Sequence, residues 1–154
     1  MSADNNLKLD AQLCFALYAA SNAMTRLYRD KLEPLGLTYP QYLVMLVLWE
    51  QDGVTVKSPL TVKGLGDRLH LDSGTLTPML KRMAQAGLVE RQRAEEDERQ
   101  VTISLTDQGR ALKADVAEMH AALGCLLPLE PRDIGRLRAE LRGLADGLIA
   151  AKQE

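Results

Sequence analysis

Two thiols and a set of tyrosines carry the reactive chemistry of this sequence. Cys14 opens a run of Cys14, Tyr18, Ser21, Thr25 and Tyr28, whose spacing of i, i+4, i+7, i+11 and i+14 puts all five on one helical stripe. A helix capped by Asp10 places Cys14 in its first turns, where unpaired backbone N–H groups favour an anionic sulfur, the reactive form of a thiol. An ordinary half-buried helix face shows the same pattern. At about 1.5 Å per residue, Cys14 and Tyr28 lie roughly 21 Å apart along such a helix, so they do not meet within one chain. Two copies crossing antiparallel about a two-fold axis would bring each cysteine to the other's tyrosine. The second thiol, Cys125, is distant in sequence, and with His70 and His120 the two cysteines match no zinc-binding spacing. Lone cysteines of this kind are most often small buried hydrophobes. No metal and no cofactor is expected.

Several elements must position these groups. The first helix runs from Asp10 to about Glu33, with Leu13, Leu17, Ala20, Met24 and Leu27 on its apolar stripe, and Pro34-Leu-Gly36 breaks it. Thr38-Tyr-Pro-Gln41 is a capping-box pattern with proline in the first turn. The helix it opens is apolar nearly all round from Tyr42 to Trp49, which predicts a central buried helix with Trp49 in the core. Tyr39 stands at its start, placed to line a pocket with the first helix. Near the other end, Thr106-Asp-Gln-Gly-Arg110 opens a long helix to about Cys125, and Leu126-Leu-Pro128 interrupts it. Glu130-Pro131 starts a final helix with Ile134, Leu137, Leu141, Leu144 and Leu148 in one continuous stripe. That stripe needs a partner, and a homodimer joined through the first and last helices supplies it.

Between these ends, residues 60–106 read as a winged helix-turn-helix. Thr61 caps a short helix with Leu65 and Leu69 at i, i+4, which Gly64 and Gly66 each weaken by roughly 1 kcal/mol relative to alanine. Leu71-Asp-Ser leaves room only for a tight turn, and Asp72 or Ser73 caps the next helix, where Leu76, Leu80, Met83 and Ala84 share a face. Pro78 is expected early in that helix, where its missing N–H is tolerable if the cap is Asp72 or later. Gly87 ends the helix, Leu88 to Arg93 forms a strand, Glu95 to Glu98 a charged tip, and Val101, Ile103 and Leu105 alternate in a returning strand. Leu60 is expected to add a short strand. The fold class is therefore mainly α with a small β-hairpin, one domain over 1–154, with dimerisation helices over 8–35 and 107–152.

A winged helix reads nucleic acid more often than anything else, and the residues at the start of its second helix suit that task. Ser73, Thr75, Thr77, Lys81 and Arg82 are short hydroxyls and long cations, the side chains that reach base edges and phosphates. Hydroxyls that merely cap a helix look the same. The chain's net charge is −2, and residues 61–110 hold eight basic and eight acidic side chains, so affinity must come from local placement of Lys81, Arg82, Arg91, Arg93 and Arg99. The expected partner is double-stranded DNA, as an inverted-repeat operator with one reading helix per major groove. The N-terminus lacks the basic and apolar regions of a signal peptide and no stretch approaches a membrane span, which predicts a cytoplasmic protein without membrane contact.

The residues also carry a resemblance. Leu71-Asp-Ser-Gly-Thr-Leu-Thr-Pro-Met-Leu-Lys-Arg82, Gly87-Leu-Val89, Asp97-Glu-Arg99 and Leu105-Thr-Asp-Gln-Gly109 resemble the MarR family of dimeric winged-helix regulators. Leu13-Cys-Phe-Ala-Leu-Tyr18, Leu37-Thr-Tyr-Pro-Gln-Tyr-Leu-Val-Met45 and Leu48-Trp-Glu50 resemble its organic-hydroperoxide-sensing, OhrR-type branch. The likeness spans almost the whole chain. It implies that Cys14 is the peroxide-reactive cysteine and that Tyr28 and Tyr39 hydrogen-bond it across the dimer. It implies further that Arg99, in the Asp97-x-Arg99 pattern, enters a minor groove. Some members carry a resolving cysteine near the end of the long C-terminal helix, and Cys125 lies in that region. This chain departs from the pattern at Val54 to Pro59, a longer connection than usual, and at Gly64, where an acidic residue is common.

Three functions compete on this reading. The first is a repressor that organic hydroperoxide releases from DNA. The second is a regulator controlled by a small lipophilic or phenolic ligand, its cysteines inert. The third is a thiol peroxidase, which leaves the helix-turn-helix without a role.

Overall fold

The computed structural model describes residues 7–54 and 59–152. Thr55 to Ser58, most of the extended connection, and residues 1–6 of the N-terminal segment lie outside the described residues. In chain order the elements are α1 (Leu13–Leu32), α2 (Tyr39–Asp52), β1 (Leu60–Thr61), α3 (Val62–Leu69), α4 (Ser73–Gln85), β2 (Val89–Arg93), β3 (Val101–Leu105), α5 (Asp107–Gly124) and α6 (Pro131–Ala151). The chain divides into two compact units, Met1–His120 and Ala121–Glu154. Among the described residues no helix is long and apolar enough to cross a membrane.

Helix α2 is the axis of the first unit. Thr38 accepts from the Gln41 backbone N–H, and Gln41 Oε1 accepts in return from Thr38 N at 3.0 Å, so the expected capping box is complete. Tyr42, Val44, Met45, Val47, Leu48 and Trp49 are all buried. They join Leu65 of α3, Leu76, Met79, Leu80 and Met83 of α4, Val89, Ile103 and Leu105 of the sheet and Val116 of α5 in one core. Burying an aliphatic side chain of this size stabilises a fold by roughly 1.5–3 kcal/mol, so this cluster dominates the stability of the unit.

The wing is a three-stranded antiparallel sheet of order β1-β3-β2. Arg91 pairs with Ile103 and Leu60 with Ile103 from the other side, confirming Leu60 as a strand residue. Thr106 and Gly109 lock the wing to the helices. The Thr106 hydroxyl donates to the Gly87 carbonyl at 2.6 Å and accepts from Gly109 N at 3.0 Å. The Gly109 carbonyl accepts from Trp49 Nε1 at 2.9 Å, which satisfies the indole inside the core.

Two local expectations need correction. Asp10 does not cap α1: Leu9–Ala11 closes a 3-10 turn of its own, and the residue at the cap position is Gln12. A short turn formed by Leu9 and its neighbours therefore displaces the helix start by three residues. Pro78 is the sixth residue of α4, inside the helix and beyond its first turn. Its missing N–H removes the i+4 donor of the Gly74 carbonyl, a cost eased because Gly74 is exposed to solvent.

Gly66 has a packing reason for the helix propensity it gives up. A Cβ there would sit 2.5 Å from the Leu71 carbonyl oxygen, in the turn that joins α3 to α4. His70 completes this turn with φ of 55°, a left-handed conformation rarely held by a residue other than glycine. The helix-turn-helix angle is thus set by a glycine contact and a strained residue.

Candidate functional site

The residues expected to form the sulfur site lie at opposite ends of α1. Cys14 is the second residue of the helix, a free and exposed thiol. Among the described residues no side-chain cap bond closes this helix start, where the first N–H groups of a helix lack intrahelical partners. The later helix start thus moves Cys14 closer to the first N–H groups of α1 than Asp10 capping would. Further along the stripe Tyr18 is 65% exposed, and the Thr25 hydroxyl is turned back onto the Ser21 carbonyl at 2.8 Å.

At the far end, Tyr28 meets the start of α2. Its ring lies edge-on to Tyr39, centroids 5.3 Å apart at 71°, and tilted against Tyr42 at 5.4 Å and 34°. Tyr39 and Tyr42 are 6.0 Å apart, closing a triangle of phenols. Burial pushes the Tyr39 phenol above its ordinary range, and the neighbouring Tyr28 adds to the effect. Tyr42 is raised further, first by burial, then by Tyr28 through its charge and a hydrogen bond, and last by Tyr39. Both phenols therefore keep their protons at neutral pH, so they are available as donors. A cavity of about 520 Å³ adjoins the triangle, lined among others by Thr25, Arg29, Thr38 and Tyr39.

The structure brings Tyr28 and Tyr39 into ring contact and places Tyr42 beside both. Sequence reasoning missed Tyr42 because it opens an apolar run and reads as core, where it also is, at 3% exposure. The i, i+3 spacing from Tyr39 was the available signal, since it makes the two rings neighbours on one helix face. Cys125 lies one residue beyond α5, exposed and free, its Sγ 3.7 Å from the Ala121 carbonyl oxygen.

The second site is the surface of α4 and the wing. Asp72 caps α4 by accepting from Thr75 N at 2.8 Å, and the Thr75 hydroxyl gives its proton to the same carboxylate at 3.2 Å. The backbone N–H of Thr75, and then its hydroxyl, hold the Asp72 carboxyl below the usual range. Thr75 therefore takes part in the cap and keeps only acceptor capacity to spare. Ser73, Thr75, Lys81 and Arg82 are exposed and Thr77 is half-buried, while Leu76, Leu80 and Met83 turn fully inward. Ser73, Thr77 and Lys81 fall at i, i+4, i+8, a single outward line.

Between α4 and the wing runs a groove of about 560 Å³, lined among others by Lys63, Ser73, Thr77, Arg91 and Arg99. Lys81 and Arg82 stand outside it, further along α4. Arg91, which lines this groove, has its Nε buried without a hydrogen-bond partner among the described residues. Asp97 has a different task from its neighbour Arg99. Its carboxylate accepts from Arg99 N at 3.0 Å and reaches Gln100 Nε2 at 3.5 Å, while its carbonyl accepts from Gln100 N at 2.9 Å. Asp97 folds the wing tip, and Arg99 is carried on the turn it makes. Among the described residues no group of histidines, cysteines and carboxylates is arranged to hold a metal ion.

Comparison with known proteins places these geometries in context. Residues 26–116 match a family model described as transcriptional regulator SarA/Rot. The organic hydroperoxide resistance transcriptional regulator of Bacillus subtilis (strain 168) is 47% identical over 144 residues, covering 94% of each chain. The structure of reduced AbfR bound to DNA superposes with a TM-score of 0.77 at 37% identity, over 96% of this chain and 99% of that one; AbfR has also been solved from Staphylococcus epidermidis. Disulfide-formed AbfR matches with a TM-score of 0.63 at 38% identity, over 92% of this chain and 96% of that one.

Proposed function

Because this chain belongs to the SarA/Rot-type, MarR-family winged-helix transcriptional regulators, we propose that it is a repressor that senses organic hydroperoxides through Cys14 and leaves its operator when oxidised. The family regulates transcription and is not enzymatic, which removes the peroxidase reading. One observation carries the proposal. An exposed thiol at the start of α1 shares a helical stripe with Tyr28, which belongs to a cluster of phenols that the thiol cannot reach in its own chain.

The unreachable distance makes the site a dimer site. In α6 every residue is at least partly exposed, and Leu137, Leu141 and Leu148 are 42, 40 and 62% exposed. Leu13 of α1 is likewise 63% exposed. Apolar stripes of this extent call for a second copy. In the homodimer, Tyr28 and Tyr39 of one protomer donate to the Cys14 sulfur of the other.

The chemistry follows from the thiolate. Its sulfur attacks the outer oxygen of the hydroperoxide, the O–O bond breaks, Cys14 becomes a sulfenic acid, and the leaving alkoxide takes a proton from solvent and departs as the alcohol. The new S–OH is larger and makes different hydrogen bonds, so the tyrosine contacts are lost. Cys125 of the other protomer then condenses with it, expelling water and forming a disulfide. That bond requires Cα atoms within about 7 Å, so closing it moves helices and the two reading heads with them. Paired docking on half-sites about 34 Å apart tolerates little displacement. The relatives solved as reduced protein on DNA and as a disulfide form support this sequence of states.

On DNA, α4 enters the major groove with Ser73, Thr75, Thr77, Lys81 and Arg82, and the wing carries Arg99 to the flanking minor groove. Such a regulator works in the cytoplasm beside its operator. Arg99→Ala is expected to weaken operator binding and to reduce the slope of log affinity against log salt by about one unit, the release of roughly one counterion. A salt titration by fluorescence anisotropy checks this; an unchanged affinity and slope would mean the wing does not touch DNA. The cavity beside Tyr39 favours one other reading, a small phenolic ligand as the signal, with the cysteines uninvolved. Operator release by peroxide in the wild-type chain, abolished by Cys14→Ser, separates the two.

A further inference from the structure

The groove between α4 and the wing holds two cations that have no task in reading bases. Lys63 of α3 and Arg91 of β2 line it beside Arg99, and among the described residues neither side chain has an ion-pair partner. Two carboxylates share the groove, Asp67 and Asp72, and the second is taken up by Thr75. Arg91 is the less expected of the two cations. The antiparallel register sets Val89 opposite Leu105 and Arg91 opposite Ile103, and residues directly opposite share a face of the sheet. Leu105 and Ile103 belong to the core, so Arg91 stands on the core-facing side of the wing, where the alternation calls for an apolar residue. Its Nε is buried there without a hydrogen-bond partner, and a buried unpaired donor lowers the stability of a fold.

The geometry of the duplex says what these cations meet. One sugar–phosphate strand separates a major groove from the minor groove beside it. With α4 in the major groove and Arg99 in the flanking minor groove, that strand crosses the surface between them, where Lys63 and Arg91 stand. We propose that Lys63 and Arg91 bind phosphates of this strand, and that a phosphodiester oxygen supplies the partner that Arg91 lacks within the fold. A guanidinium suits the task, since its planar fork of donors matches phosphate oxygens. The inference rests on the reading of α4 and Arg99 as the parts that enter the grooves. It adds a contact that carries no sequence information and instead fixes the register of both parts on the duplex.

The test is Arg91→Met in the whole chain, which keeps an apolar stem and removes every donor. Fluorescence anisotropy uses two labelled duplexes of unrelated sequence, each about 30 base pairs long to span both half-sites. Binding to each should weaken about tenfold per bound chain, the scale of one hydrogen bond to a charged group. The slope of log affinity against log salt should fall by about one unit per bound chain. The urea midpoint should not fall, because the donor that is removed was unpaired in the free protein. Lys63→Gln, on the exposed side of α3, should lower the slope by the same amount. Arg91→Lys keeps the charge and loses the fork, so its affinity should drop while its slope holds; it also serves if Arg91→Met folds poorly by circular dichroism.

Unchanged affinity and slope in Arg91→Met overturns the inference, and so does a loss confined to one of the two duplexes, which would make Arg91 a reader of bases. Strand β2 is an edge of the sheet, and an inward charge there also blocks pairing between molecules. Self-association of Arg91→Met with intact DNA binding would assign it that role instead. If Arg99→Ala weakens binding while Arg91→Met and Lys63→Gln do not, only this inference falls. If the wild-type chain binds neither duplex, the reading of α4 and Arg99 falls and takes the inference with it.

Discussion

Cys14→Ser should stay on its operator at a dose of organic hydroperoxide that releases the wild-type protein. Serine keeps the size of the side chain and its place at the start of α1, but its oxygen does not undergo the two-electron oxidation open to sulfur. Cys14 lies in α1, whereas α4 and the wing are other elements, so operator binding before oxidation should be unchanged. Anisotropy titration of labelled operator, before and after one equivalent of hydroperoxide per chain, should show complete release for the wild type and none for Cys14→Ser. Release of the serine variant would place the sensor elsewhere and favour the ligand-controlled reading.

The largest structural effect is expected at Gly109. A Cβ there would overlap the Leu88 backbone carbonyl oxygen, and it would stand 3.2 Å from Leu105 Cδ2. Backbone at the edge of a strand cannot swing aside as a side-chain tip can. Gly109 also joins three elements through Thr106 Oγ1 and Trp49 Nε1, so moving it loosens the wing from α2. Gly109→Ala should cost about 3 kcal/mol, at the upper end of overpacking losses. Gly135 in α6 is the control: nothing lies within 4 Å of its Cβ position, so Gly135→Ala should be neutral or stabilise by about 0.5–1 kcal/mol. Urea unfolding at one fixed protein concentration compares the two. Equal midpoints for both variants would show that the Leu88 contact does not constrain the fold.

Features that depend on nearest neighbours were readable in the chain. Thr38 with Gln41, Thr61 with Gly64 and Asp72 with Thr75 are all caps within three residues, and all are formed. The alternation of Val101, Ile103 and Leu105 gave the returning strand and its inward face. Features decided by packing between distant segments were not readable. Gly66 looked only like a helix weakness, because its contact with Leu71 exists only once the turn has folded. Trp49 read as core, and it is, but its hydrogen bond to Gly109 spans 60 positions. Tyr42 was hidden by the apolar run it opens, and its contact with Tyr28 appears only when α1 packs on α2. Asp10 misled because a cap and a short turn use the same residue types. The Cys14–Tyr28 separation was legible from helical rise alone, and the proposed thiol–tyrosine contact therefore calls for a second chain.

That demand is tested most directly with mixed dimers. One chain carries Cys14→Ser with its tyrosines intact, and the other keeps Cys14 but carries Tyr28→Phe and Tyr39→Phe. Co-expression with two affinity tags isolates the heterodimer, whose single remaining Cys14 faces the intact tyrosines of its partner. Its rate with organic hydroperoxide should equal the per-site rate of the wild type. The homodimer of the tyrosine variant should be slower by about tenfold or more, two hydrogen bonds to a charged sulfur having been removed. A mixed dimer as slow as that homodimer would contradict the account, because the tyrosines would then not serve the cysteine across the interface.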